Sequence, residues 1–211
     1  MTDPYAKYKA RQKKWKYTGK VKKTTTRRST ITAVKRILDK NSEFKHTTVN
    51  STLTITSTLQ QTNLLTAIEE GNDYGNRNGR RINVRKIQLQ GYFLIADTTN
   101  MCRVLVLQEL ENSATLTSDL FTGTPSVTSL RNPEMINKYR VLWDKVVSLT
   151  AVSRPQTGMV SLFKKCNIDV RYNGTTGSPC HNNIFIAYVS DSGSVTHPTF
   201  IYTSRIYFTD L

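Results

Sequence analysis

Between Lys7 and Arg28, 11 of the 22 residues are Lys or Arg, none is Asp or Glu, and Tyr8, Trp15 and Tyr17 are interleaved among them. Cations at this density neutralise phosphates without reading a base sequence, while flat side chains between them can stack on unpaired bases at roughly 1–3 kcal/mol each. The chemistry is adhesion to a single-stranded polyanion. The residues expected to carry it are Lys7, Lys9, Arg11, Lys13, Lys14, Trp15, Lys16, Lys20, Lys22, Lys23, Arg27 and Arg28, joined by Lys35 and Arg36 further on. A plain solvated tail or a nuclear-import signal would use the same residues.

Other reactive side chains are sparse. The three histidines, His46, His181 and His197, form no HxH or HExxH string, which argues against a metal-dependent enzyme. Cys102, Cys166 and Cys180 are odd in number, show no CxxC pair and are not expected to form disulfides. Cys180 and His181 are adjacent, but adjacency alone does not make a nucleophile and its base. No enzymatic role is expected. Asn50-Ser51-Thr52 and Asn173-Gly174-Thr175 match the glycosylation tripeptide, with no secretory signal to give the match meaning.

A second basic cluster, Arg77, Arg80, Arg81, Arg85 and Lys86, precedes and enters a long alternating stretch. Strand alternation would set Arg81 and Arg85 on one face as a basic wall. The plainer expectation is pairing with Glu69, Glu70 or Asp73, or contacts between subunits.

The charge is unevenly shared. Residues 1–45 hold 15 Lys or Arg against Asp3, Asp39 and Glu43, a net +12 of the formal +15, whereas residues 46–211 are close to neutral. This divides the chain into a basic arm, 1–45, and a body, 46–211, long enough for one domain with a core. Met1 to Thr26 is almost without aliphatic side chains and is expected to be disordered when free. From Ser29, a candidate N-cap, Ile31, Val34, Ile37 and Leu38 recur at helical spacing and predict a short helix over about 29–40. That helix would dock on its own domain or bundle with copies of itself. No apolar run is long enough to span a bilayer and the N-terminus is not that of a signal peptide, so a cytosolic product with no membrane insertion is expected.

The body is rich in Thr, Ser, Asn, Val and Ile and predicts eight strands: His46 to Thr58, Asn63 to Glu69, Arg81 to Ala96, Met101 to Glu111, Tyr139 to Thr150, Met159 to Tyr172, Asn183 to Ser190 and Thr199 to Thr209. In the third, Ile87, Leu89, Phe93 and Ile95 alternate with Lys86, Gln88, Gln90 and Tyr92. In the fourth, Val104 to Leu107 reads as covered on both faces. The connection from Asn112 to Lys138 is long enough to be read as outer surface or neighbour contact. An all-β antiparallel sandwich follows, for which jelly-roll order and other Greek-key orders are both open.

Several strings, in order, resemble the coat proteins of the satellite tobacco necrosis viruses and the related capsid proteins of small circular Rep-encoding single-stranded DNA viruses. They are Ala33-Val34-Lys35-Arg36-Ile37; Gly71, Asp73, Arg77, Gly79 and Ile82, with Lys86 and Gly91; Asn132-Pro133 and Lys138 to Leu142, with Asp144, Val146 and Leu149; and Tyr172-Asn173-Gly174 with Ile184-Phe185-Ile186. The resemblance implies an eight-stranded jelly-roll shell domain, a homo-oligomer of 60 copies in a T=1 icosahedral shell, and an inward arm that binds the packaged single-stranded genome. It further implies a virion protein, and the basic arm itself is a candidate ligand for a host import receptor, with passage through host cytoplasm and nucleus before assembly. Residues 1–26 make a longer, more aromatic arm than that of the satellite viruses, which favours a DNA genome over RNA. Structural calcium between subunits occurs in such proteins; Asp97, Asp119, Asp144, Asp191 and Asp210 are candidate ligands, and their spacing selects none. The rival reading is a non-assembling single-strand-binding or nuclear shuttle protein, which would carry basic and aromatic groups on one exposed sheet face.

Overall fold

The computed structural model describes residues 44–111, 118–151, 157–175, 177, 179–193 and 196–211. The chain divides into two units, Met1–Glu43 and Phe44–Leu211. All the candidate binding residues of the arm, and the helix expected at 29–40, therefore lie outside the described residues.

Among the described residues nine strands run through the second unit: β1 (Lys45–Thr54), β2 (Gln60–Asn63), β3 (Arg81–Leu94), β4 (Thr99–Glu109), β5 (Tyr139–Thr150), β6 (Thr157–Tyr172), β7 (Pro179–His181), β8 (Ile184–Ser190) and β9 (Thr199–Asp210). They form two antiparallel sheets, in the orders β1-β9-β3-β6-β7 and β2-β8-β4-β5. The pairings nest. β4 pairs with β5, β3 with β6, β2 with β8 and β1 with β9, and successive pairs fall in opposite sheets. A long hairpin wound in this way is a jelly roll, which selects that order from those left open by composition.

Two strand expectations need correction. The segment read as a turn after Tyr172 contains β7, which pairs with the end of β6 and makes the first sheet five-stranded. Its Pro179 is tolerated because β7 is an edge strand and Pro179 its first residue. The expected strand from Asn63 to Glu69 is instead a turn, and the paired residues are the polar Gln60–Asn63 just before it. Asn63 Oδ1 accepts from the Leu65 amide at 2.8 Å, and the Ile68 amide reaches the Leu65 carbonyl, so the backbone closes on itself while Leu64, Leu65 and Ile68 enter the core. Apolar residues were needed there to anchor a turn.

β3 follows its alternation. Ile82, Val84, Ile87, Leu89 and Phe93 are fully buried between the sheets, and Phe93, Phe200 and Tyr202 stack with ring centroids 4.5 and 5.1 Å apart. Gly91 lies beneath these rings; a Cβ there would meet the Ile201 carbonyl oxygen at 2.6 Å and Phe200 Cε2 at 2.7 Å. β4 is covered on both faces, as its apolar run predicts: Cys102, Val104 and Val106 face the core, while Leu105 and Leu107 meet Leu120, Phe121, Tyr139 and Phe185 on the other side. The cover is the long connection, so its inner side is packed within the subunit. Its outer side is not, since Leu130 and Ile136 are 79% and 72% exposed. Arg103 fixes the connection in place, with a two-point pair to Asp144 at 2.9 and 2.7 Å and a 2.6 Å bond to the Ser129 carbonyl.

Candidate nucleic-acid interface

The second basic cluster separates into different roles. Arg77 is completely buried. Its guanidinium pairs with Glu70 at 3.1 Å, donates to the carbonyls of Gly79 and Gly174, and lies 4.2 Å from the centre of the Tyr172 ring. It clasps two loops and does not face solvent. The pairing expected with Glu70 is present; Arg81 takes Asp169 instead, with Nε at 2.8 Å from Oδ1. That bond holds the Asp169 carboxyl below its ordinary range. Arg80 is exposed. Lys45, counted with the arm by charge, is buried in β1 and pairs with Asp210 at 3.0 Å.

Arg85 sits at a register shift between Val84 and Lys86, where β3 carries an extra residue against β9. A bulge of this kind puts two consecutive side chains on one side of the sheet. Ile82, Val84 and Ile87 face the core, so Arg81, Arg85 and Lys86 all lie on the outer face of the five-stranded sheet, one more cation than alternation alone would place there. Arg85 donates to Asn167 of β6 at 3.0 Å.

Register completes the surface. One row across the sheet is His46, Tyr207, Lys86 and Lys165, and the next is Thr48, Arg205, Gln88 and Phe163. Beyond the bulge, Arg81 lies opposite Arg171. Lys86 Nζ is 3.6 Å from the Tyr207 ring centre and 5.1 Å from that of Phe163. Arg205 donates to Thr48 Oγ1 at 2.8 Å, and its hydrogen bond to Tyr207, with Lys86 nearby, holds that phenol below its usual range. Among the described residues, Arg81, Arg85, Lys86, Lys165, Arg171 and Arg205 share this face with one carboxylate, that of Asp169.

Sequence reading missed the contributions of β6 and β9. The alternating strings Phe163, Lys165, Asn167, Asp169, Arg171 and Thr203, Arg205, Tyr207 carry the signal, but only register shows that they meet beside the bulge of β3.

Burial pushes the Cys102 thiol up to about 12 and the Cys166 thiol up to about 11. Among the candidate calcium ligands, Asp144 is engaged by Arg103, Asp210 by Lys45, Asp191 by the Met101 amide and Asp97 by the Thr99 amide. Among the described residues no three His, Cys, Asp or Glu side chains gather as a metal site.

Comparison with known proteins gives one decisive match. The family model described as satellite tobacco necrosis virus coat protein matches residues 17–211, from within the arm to the last strand. No curated protein matches the sequence. Solved structures are similar only at a distance: Desmodium yellow mottle tymovirus at TM-score 0.40 and 7% identity, over 80% of this chain and 86% of that one; Cocksfoot mottle virus at 0.40 and 10%, over 79% and 92%; and a Bacillus endospore appendage pilus at 0.35 and 10%, over 81% and 92%. A pilus stands beside two viruses at these scores, so none of the three bears on function. Nearly the whole chain fits the family model, and the protein belongs to the satellite tobacco necrosis virus coat protein family.

Proposed function

We infer that this viral coat protein assembles 60 copies into a T=1 icosahedral shell and packages a single-stranded genome through its basic N-terminal arm. The observation that carries the reading is the family match over residues 17–211, which takes in both the arm's second half and the shell domain. The arm supplies the charge. With Lys45 buried against Asp210, residues 1–44 keep a net +11, and 60 copies bring about 660 positive charges to a confined polyanion, neutralising part of a genome of a thousand or more nucleotides. Lys7, Lys9, Arg11, Lys13, Lys14, Lys16, Lys20, Lys22, Lys23, Arg27, Arg28, Lys35 and Arg36 act on phosphates, and Trp15 stacks on bases.

The long aromatic start of the arm supports single-stranded DNA as the genome; residues 1–16 precede the family match. The same cluster serves import into the host nucleus before assembly. For contacts between subunits, the apolar groove of about 820 Å³ beside Leu110, Leu130, Met135, Ile136 and Val141 is suited to a second copy of the chain, because a shell protein must bury such surface against its neighbours.

One observation favours the rival reading of a non-assembling single-strand-binding protein: basic and aromatic groups do line an exposed sheet face. The two readings part on truncation and assembly. With residues 1–28 removed, the coat reading expects most of the affinity for single-stranded oligonucleotides to be lost and the salt slope to fall by several units, with shells still forming. Near-normal binding by a truncated chain that never assembles would favour the rival.

A further inference from the structure

We propose that the outer face of the five-stranded sheet is a second single-stranded nucleic-acid surface, in which cations around the β3 bulge hold phosphates and Phe163 stacks on a base. This deepens the coat-protein reading and rests on it, since a packaged genome is the polyanion to be met. The family match assigns no such role to β3, β6 or β9.

The surface has the two parts such binding needs. Lys86, Lys165 and Arg205 lie on neighbouring strands in two adjacent rows, which places them within roughly 15 Å at ordinary strand spacing. Phe163 stands beside them at 60% exposure, far more than a ring needs for packing on its own sheet. Lys86 packs between the Tyr207 and Phe163 rings, which keeps its charge at the surface and orders both aromatics. Each base stacked on such a ring is worth roughly a 5- to 150-fold change in affinity, whatever the base.

The rest of the fold explains why this face is open. The outer side of the four-stranded sheet is closed over by the connection bearing Leu120 and Phe121. The five-stranded sheet has no such cover among the described residues. Its neutral end carries Tyr92, Leu94 and Met159 at 38%, 37% and 86% exposure, so the cations and Phe163 form the charged half of a wider open surface. Charge complementarity commits this half to a polyanion: among the described residues six cationic side chains face one carboxylate, and that carboxylate is already held by Arg81.

The test compares three full-length chains: wild type, a sheet variant (F163A, K165Q and R205Q together) and an arm variant (K13Q, K14Q, W15A and K16Q together). Each is titrated with fluorescent 30-nucleotide oligo(dT) and oligo(U) over a range of salt. The sheet variant is expected to bind at least tenfold more weakly than wild type, with its salt slope reduced by about 1.4 for two lost phosphate contacts. Ultraviolet cross-linking of wild-type particles with their own nucleic acid reads the same surface without any substitution, and nucleotide adducts are expected on the peptides containing Phe163 and Tyr207. Unchanged affinity and slope in the sheet variant, with loss only in the arm variant, would overturn the inference and leave the coat reading standing. Lost assembly with unchanged binding would make the face a subunit contact and overturn it equally. Adducts confined to the arm would do the same, and a wild-type chain that binds neither oligonucleotide would remove the packaging reading as well.

Discussion

Arg77 is a permanently charged side chain with no exposed surface, and that is sustained only because its fork reaches Glu70 and two backbone carbonyls while its flat face lies on Tyr172. Arg77→Met should lower stability by about 3 kcal/mol, or roughly 6–12 °C in Tm at fixed protein concentration, by calorimetry. Arg77→Lys should recover little of it, because an ammonium lacks the fork. Cys166 allows a second check, this one on pH dependence. Its thiol is pushed from 9.0 up to about 11 by burial, and only the thiolate reacts, so at pH 8 its alkylation should run about 100-fold slower than that of an ordinary thiol and rise about tenfold per pH unit up to pH 10. Mass spectrometry of timed iodoacetamide reactions reads this directly. The Asp169 carboxyl has the opposite sign: held low chiefly by the hydrogen bond from Arg81, it favours the fold above about pH 4 and loses that contribution as pH falls through its lowered pKa, so Asp169→Asn should flatten the acid side of the stability profile. At this scale the sequence shows residue types but not their surroundings. Arg77 and Arg81 both sit in one basic string, and only the fold buries the first and hands the second to a partner 88 residues away.

Strands were legible where alternation and apolar runs are strong, as in β3 and β4, and illegible where tertiary packing overrides them. Gln60–Asn63 pairs as a strand because an edge position tolerates polar side chains, while Leu64, Leu65 and Ile68 serve a turn. The bulge at Arg85 has no local signature, yet it decides which cations share a face. A Cβ at Gly91 would meet Phe200 and Tyr202 at 2.7 Å, so Gly91→Ala should cost about 1–3 kcal/mol by forcing them out of their stack, measurable as a lower unfolding midpoint in urea. The connection between β4 and β5 was read as outer surface, and the structure divides it: Leu120 and Phe121 are core, Leu130 and Ile136 are surface. Leu130→Glu with Ile136→Glu should leave the melting of dissociated subunits within about 1 kcal/mol of wild type and abolish assembly, as seen by sedimentation.

As a whole, the molecule pairs a nearly neutral jelly roll with an arm that holds most of its charge. The charge division, the all-β class and the family resemblance were readable from residues alone, because they depend on composition, period and short strings. Strand order was not, since every Greek-key sandwich shares those periods, and neither was the basic sheet face, which depends on register between β3, β6 and β9. In the proposed function, many copies of this chain enclose nucleic acid and act on it by number. The most direct measurement is electron microscopy of the purified full-length protein, with nuclease typing of whatever nucleic acid is extracted. Uniform closed shells of 60 subunits containing nuclease-protected single-stranded nucleic acid are expected, sensitive to DNase if the long arm marks a DNA genome. A chain that remains a monomer or small oligomer under all assembly conditions, with nucleic acid present or absent, would contradict it.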